Sequence, residues 1–245
     1  MHMSFIITIY LKEGIVMASD SRTTFTTQET VPSRQEGEPA VAIRHCGVHS
    51  SDTNYKTFVT ANNVGISTCG DASINGQPIT GYIESFIREY NSADVDTIAN
   101  SILSYFNKIA PALDSIFIIA GYQYLRENQY VQKVFVVSTK TGNVQSLDTT
   151  VQGVQWSGES DVLVRLIKPL AVKTEGGEYS DLPQYDIPFN YFTLQDAIEF
   201  AEYATRTTID TMRFQQRLKT VGGPIDILVL KPNSYQWIAH KELHI

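Results

Sequence analysis

The spacing of apolar positions changes several times along the chain, and each change marks an element. Phe5 to Leu11 are apolar or β-branched, Lys12-Glu13-Gly14 interrupts them, and Ile15 to Ala18 resume, which predicts a hairpin of two buried strands. From Thr23 to Tyr55 the chain is polar and broken by Pro32, Gly37, Pro39 and Gly47, so a long hairpin or excursion is expected. Strand character returns between Tyr55 and Gly70, with a turn at Asn62-Asn63. After Gly70 the apolar residues Ile74, Ile79, Tyr82, Ile83, Phe86, Ile87 and Tyr90 recur at three and four, predicting an amphipathic helix from Asp71 or Ala72.

A second helix is expected from Asp94 to Ile109, stopped by Pro111. Ser115 to Tyr122, Tyr130 to Ser138 and Val144 to Val154 read as strands of a second sheet, the last two joined by a Lys140-Thr141-Gly142-Asn143 turn. A helix from Asp161 to Leu170 follows, then a loop from Lys173 to Tyr191, a helix from Leu194 to Phe214 capped by Thr193 and Asp196, and a last strand pair, Ile225–Leu230 and Tyr235–Ala239. This order suits an α+β fold, a four-layer αββα sandwich of two antiparallel sheets between helix layers.

Composition narrows the class. The 245 residues are 42% hydrophobic and 18% charged, enough for one large domain. A net charge of −7 argues against nucleic-acid or anionic-membrane binding, which want basic patches. Cys46 and Cys69 are too few for a disulfide framework, and no apolar run has membrane-spanning length, so a soluble cytoplasmic protein is expected. Met1-His2-Met3 reads as a cloning remnant and initiator Met, with the domain occupying Ser4 to Ile245.

The candidate chemistry begins where the second strand ends. Ser19-Asp20-Ser21-Arg22 brings a carboxylate and a guanidinium off a buried strand close to Ser4, and buried charges need partners. His45-Cys46 with His49 and Asp52 has no second ligand pair at zinc spacing, so no metal is expected. No cofactor is expected either.

Gly14 to Arg22, a glycine, four apolar residues and Ser-Asp-Ser-Arg, resembles the opening hairpin of proteasome β-subunits, which are N-terminal nucleophile hydrolases. In that family an Asp follows the nucleophile by sixteen residues, and Asp20 has that spacing from Ser4, with Ser where Thr is usual. A family lysine precedes an oxyanion-hole glycine by fourteen residues, as Lys56 precedes Gly70. The Ser157-Gly158 pair resembles the family's turn whose serine supports the nucleophile. Thr23, Asn54, Thr68 and Ala72, with Thr24 beside them, correspond to the substrate-binding lining. The family's Asp and Ser before its last Gly-Gly are here Leu218 and Val221. The Val-Gly-Gly-Pro-Ile-Asp run, after a long helix, looks nearer to the bacterial Anbu-type proteins.

The resemblance implies a peptidase acting on peptides or unfolded polypeptide. Ser4 would be its nucleophile and its own α-amine the base, in a homo-oligomeric ring or open spiral whose ATPase partner, if one exists, is unknown. A noncatalytic assembly subunit of a proteasome-like particle and a small-molecule amidase of the same superfamily are the alternatives. Without the resemblance, Ser4 is a chain-start serine, Asp20 with Lys56 a structural ion pair, and Ser157 a helix cap.

Overall fold

The computed structural model describes residues 4–32, 41–126 and 129–242; the expected remnant Met1 to Met3 lies outside them. β1 (Phe5–Leu11) and β2 (Gly14–Ser19) form the expected hairpin, Ile6 opposite Ser19 and Leu11 opposite Gly14. Among the described residues β3 (Thr23–Pro32) and β4 (Val41–Ser51) pair only with each other, the expected excursion. β5 (Thr57–Val59) and β6 (Gly65–Gly70) follow as an antiparallel pair.

The chain then departs from the expected periodicity. β7 (Ser73–Ile74) and β8 (Gln77–Pro78) make a small hairpin around Asn75-Gly76, and α1 spans Ile79–Glu89 instead of starting at Asp71 or Ala72. Asn75 and Gly76 have φ of 51° and 77°, the left-handed pair that a two-residue Asn-Gly hairpin turn requires. α2 (Val95–Ile109) starts on Asp94, whose carboxylate accepts from Thr97 N.

β9 (Ser115–Arg126), β10 (Gln129–Ser138), β11 (Asn143–Ser146) and β12 (Gly153–Gly158) come next. The single strand expected from Val144 to Val154 is therefore two strands, β11 beside β10 and β12 beside β1, in different sheets. Asp148 breaks it by accepting from the backbone and hydroxyl of Thr150, a local turn that competes with the ladder. α3 covers Asp161–Ile167. The stretch expected as a loop holds a ribbon of β13 (Ala171–Lys173) and β14 (Tyr179–Asp181), then a short 3-10 turn at Phe189–Tyr191. α4 (Leu194–Phe214) opens with the capping box its sequence announces: Thr193 and Asp196 each accept the other's backbone N–H. β15 (Asp226–Lys231) and β16 (Ser234–Ala239) close the described chain.

Two five-stranded antiparallel sheets result, β12-β1-β2-β15-β16 and β11-β10-β9-β6-β5. Side-chain alternation along β1, β2 and β15 sends Ile6, Met17 and Leu228 into a cluster with Cys69, Ile118 and Val134 of the second sheet. Phe5, Ile7, Val16 and Val229 join Leu163 of α3 and Ala197, Ala201 and Met212 of α4. On the second sheet, Ile66, Phe117 and Ile119 join Ile83 and Phe86 of α1 and Ile98, Ile102 and Phe106 of α2. Among the described residues the chain is a mixed α/β structure of antiparallel sheets and four helices, and none of those helices is long and apolar enough to cross a membrane.

Candidate functional site

β2 is buried along its whole length and delivers Asp20 to the end of its sheet with no exposed surface. Four donors meet that carboxylate. Phe5 N (2.9 Å) and Lys56 Nζ (2.7 Å) bond Oδ1, while Arg22 N (3.0 Å) and Gly222 N (2.9 Å) bond Oδ2. Lys56, just ahead of β5, also donates to the Arg22 carbonyl. Burial pulls the pKa of its ammonium down, and the neighbouring Asp20 carboxylate opposes that pull.

Arg22 turns away to a two-bond fork on Asp52, 2.6 and 2.7 Å. This contact holds the Asp52 carboxyl below its usual pKa. Gly222 leaves the space the fork needs, since a Cβ there would sit 2.5 Å from the guanidinium carbon. Val221, one of the two departures from the family pattern, is buried in the apolar cluster under α4, and the Gly222 amide serves Asp20 instead.

Ser4 is 6% exposed and stands at φ 86°, a left-handed backbone uncommon for serine. Its carbonyl accepts from Glu159 N at 2.8 Å. A Cβ on Gly158, itself at φ 96°, would lie 2.0 Å from that carbonyl oxygen, so only glycine fits. Ser157 faces Ile6 across the β12–β1 ladder. It is not the helix cap that a plain reading suggests, because α3 starts on Ser160.

Ser4, Thr23, Lys56, Thr68, Gly70 and Ala72 line one cavity of about 20 Å³, together with Tyr55, Cys69, Asp71, Ile79 and Thr80. That volume is room for about one water. Gly70 has φ 118°, and a Cβ there would meet the Asp114 carbonyl at 2.4 Å. Although α1 begins later than the periodicity suggests, its first residues Ile79 and Thr80 are in the lining. The helix's positive end therefore still borders the cavity.

Asn54, Thr24 and Ser157 stand outside this lining. Asn54 N donates to the Ser21 carbonyl at 3.3 Å, and the Thr24 hydroxyl to the Lys219 carbonyl at 3.2 Å. Asp52 is engaged with Arg22, and the His49 ring stacks on Phe25; the side chains of His45 and Cys46 lie outside those described. Among the described residues no group of three His, Cys, Asp or Glu side chains could hold a metal. Burial pushes the Cys69 thiol up to about 12, far from a reactive thiolate.

Sequence reasoning missed a second buried carboxylate. Asp226 has no exposed surface, accepts from Lys241 N at 2.9 Å and forms an ion pair with the Lys241 ammonium. That ammonium lies 4.4 Å from the centre of the Tyr55 ring, whose hydroxyl donates to the Lys241 carbonyl. The available signal was an aspartate heading an apolar strand, as Asp20 follows one.

No protein-family model and no curated protein matches the chain. Solved structures do. A Gly-1 mutant of Anbu from Hyphomicrobium sp. strain MC1 shares 15% identity at a TM-score of 0.56, over 97% of this chain and 86% of that one. Anbu, an ancestral beta-subunit, from Yersinia bercovieri shares 15% at 0.50, over 96% and 86%. At such identity the likeness is one of architecture: the chain has the fold of the Anbu proteasome-like proteins.

Proposed function

We propose that the chain is a proteasome-like peptidase, a four-layer αββα sandwich of the N-terminal nucleophile type whose mature form begins at Ser4. The observation that carries this reading is the convergence of Ser4, Lys56 and Gly70 on one cavity with Asp20 buried behind Lys56. The three apolar clusters, one between the sheets and one beneath each helix pair, support the layering. The left-handed Ser4 supports trimming, since a chain that starts there has no such φ to maintain.

A free α-amine, with a pKa of about 7.7 to 8.0, is in part neutral near pH 7 and takes the proton from the Ser4 hydroxyl as it attacks the amide carbon. Lys56 as a cation favours the alkoxide, and Asp20 fixes its position. The Gly70 N–H receives the developing oxyanion, an effect of roughly 3 to 4 kcal/mol per donor in other enzymes. The amine returns its proton to the leaving nitrogen, and water then hydrolyses the ester. Ser157, on the strand whose next residues hold the Ser4 carbonyl, steadies the nucleophile.

Peptides or unfolded polypeptide are the substrates of this reading. Thr23, Thr68 and Ala72 give a small neutral lining that favours short or uncharged side chains, with Thr24 and Asn54 contacting the substrate farther out. Identical subunits assemble as a ring or open spiral in the cytoplasm. A noncatalytic assembly subunit is the second reading. What favours it is the cavity's one-water size and the apolar Leu218 and Val221 where the family places polar side chains.

The test is a chain trimmed to begin at Ser4. It should be labelled by a peptide epoxyketone, which uses hydroxyl and amine together; Ser4→Ala should abolish labelling, and the chain retaining Met3 should not react. Equal peptide hydrolysis by the trimmed protein and its Ser4→Ala variant would rule the mechanism out. A peptide-library profile dominated by Arg or Trp at the cleaved position would sink the small-pocket reading.

A further inference from the structure

The mechanism leaves one buried ion pair without a part in it. Asp226, which opens β15, has no exposed surface, and the side chain of its partner Lys241, just beyond β16, is 7% exposed. Stability is a weak reason for such a pair, because well-packed apolar residues of similar volume often serve as well or better. What the pair touches gives a stronger one.

Lys241 holds Tyr55 twice. Its carbonyl accepts from the Tyr55 hydroxyl at 3.1 Å, and its ammonium, paired with Asp226, lies 4.4 Å from the centre of the Tyr55 ring. His240 adds a third hold: its ring stacks with that of Tyr55 at 5.0 Å and that of Trp237 at 4.0 Å, and its Nδ1 lies 3.4 Å from the Asp226 carboxylate. Tyr55 in turn precedes Lys56 and lines the cavity with Ser4. On the other side of Lys56, the Thr57 hydroxyl donates to that of Ser19 at 2.9 Å, and Ser19 faces Asp226 across the β15–β2 ladder. Both neighbours of Lys56 are therefore fastened to one place in the sheet, the start of β15. The Lys56 ammonium rides on a flexible four-carbon stem, so a fixed root narrows where it can stand.

Charge links the two ion pairs as well. The titratable groups that face Lys56 are Asp20 after β2, Asp52 ahead of β5, Cys69 on β6 and Lys241, joined in the trimmed chain by the Ser4 amine on the same cavity. Burial does most to lower the Lys56 pKa, Asp20 opposes it, and Lys241, as a nearby cation, adds a smaller pull downward.

We propose that Lys241, held by Asp226, is a positioning residue for the reaction: through Tyr55 it fixes the backbone that carries Lys56, and with it the place of the Lys56 ammonium in the Ser4 cavity. This deepens the peptidase reading above and rests on it.

The test uses the chain trimmed to begin at Ser4 with three variants, Lys241→Met, Lys241→Arg and Tyr55→Phe, and reads the rate of epoxyketone labelling against pH beside the urea midpoint. Lys241→Met should lower the limiting labelling rate by about tenfold or more, as small misplacements of a catalytic group do, while the reagent concentration giving half that rate stays the same. Its alkaline fall in rate should move to higher pH, because loss of a neighbouring cation favours the charged form of Lys56 whether Asp226 stays ionised or takes a proton. Lys241→Arg keeps the cation and the carbonyl, and should restore most of the rate and the wild-type pH profile. Tyr55→Phe removes only the hydroxyl bond and should slow labelling without moving the profile. A lower urea midpoint for Lys241→Met with the wild-type rate and profile is what a purely structural pair gives; it overturns the inference and leaves the peptidase reading standing. Should Lys241→Met fail to fold, an unchanged rate for Tyr55→Phe overturns it instead. Trimmed wild type that the epoxyketone labels at no pH overturns the reading and the inference together.

Discussion

Lys56→Met is the perturbation that most directly weighs the site. Methionine keeps the length and apolar stem of lysine, so the change removes one charge and little volume. Asp20, with no exposed surface, then keeps three backbone donors, Phe5, Arg22 and Gly222, and loses the charged Lys56 donor. Breaking one side of a buried pair costs about 3 to 5 kcal/mol, because the remaining charge is uncompensated. The three amides hold the value toward the lower end, since N–H groups directed at a carboxylate stabilise it too. In a domain of this length about 1 kcal/mol moves the melting temperature by roughly 2 to 4 °C, so a fall of roughly 6 to 15 °C is expected. The double variant Asp20→Asn, Lys56→Met removes both charges and should recover part of that loss. Urea midpoints of wild type, both single variants and the double variant give the coupling directly. A cost below about 1 kcal/mol for Lys56→Met would show that the amides alone hold Asp20 and that the ion pair is not the site's organising contact.

Three further outcomes are expected. In the trimmed protein the rate should rise with pH as the α-amine loses its proton near about 7.7 to 8.0. It should then fall as Lys56 loses its own, and because burial lowers that pKa the alkaline limb should lie below the ordinary lysine value of about 10.4; a rate that stays flat to pH 11 contradicts the role given to Lys56. Gly158→Ala forces a methyl to 2.0 Å from the Ser4 carbonyl at a φ alanine avoids, so it should destabilise by about 2 kcal/mol or more and lower epoxyketone labelling of the trimmed chain. Thr193→Ala breaks the α4 capping box and should cost about 1 kcal/mol by urea denaturation without altering labelling.

How much of this was legible depended on the sequence distance over which each feature acts. The β1–β2 hairpin, α2 and the α4 capping box follow from neighbours within a few residues, and the chain adopts them where the periodicity places them. Lys56 and Gly70 were implied by the resemblance, whose spacing they match, and both line the cavity with Ser4. The late start of α1 was written in Asn75-Gly76, but the apolar period ran across that turn and concealed it. The break in the Val144 to Val154 run lies in the local Asp148–Thr150 turn, but the pairing of its second half with β1, some 150 residues earlier in the chain, is a choice no local pattern encodes. Gly222 as a donor to Asp20 and Lys241 as the partner of Asp226 are likewise products of the assembled fold.

The bond from Gly222 to Asp20 spans 202 residues, and it fixes when in the life of the molecule the site can exist. β2 lies between β1, its immediate neighbour in sequence, and β15, which begins at Asp226. Closing a loop of that length costs about 5 kcal/mol by chain statistics, roughly twice the cost for the fifteen residues between Phe5 and Asp20. A chain still being synthesised can form its opening hairpin early, yet Asp20 stays short of a donor and β2 keeps one open edge until Gly222 and β15 have emerged. Assembly of the site is thereby tied to the emergence of Gly222 and β15, and fragments released before them would carry Ser4 without the surroundings that give it a use.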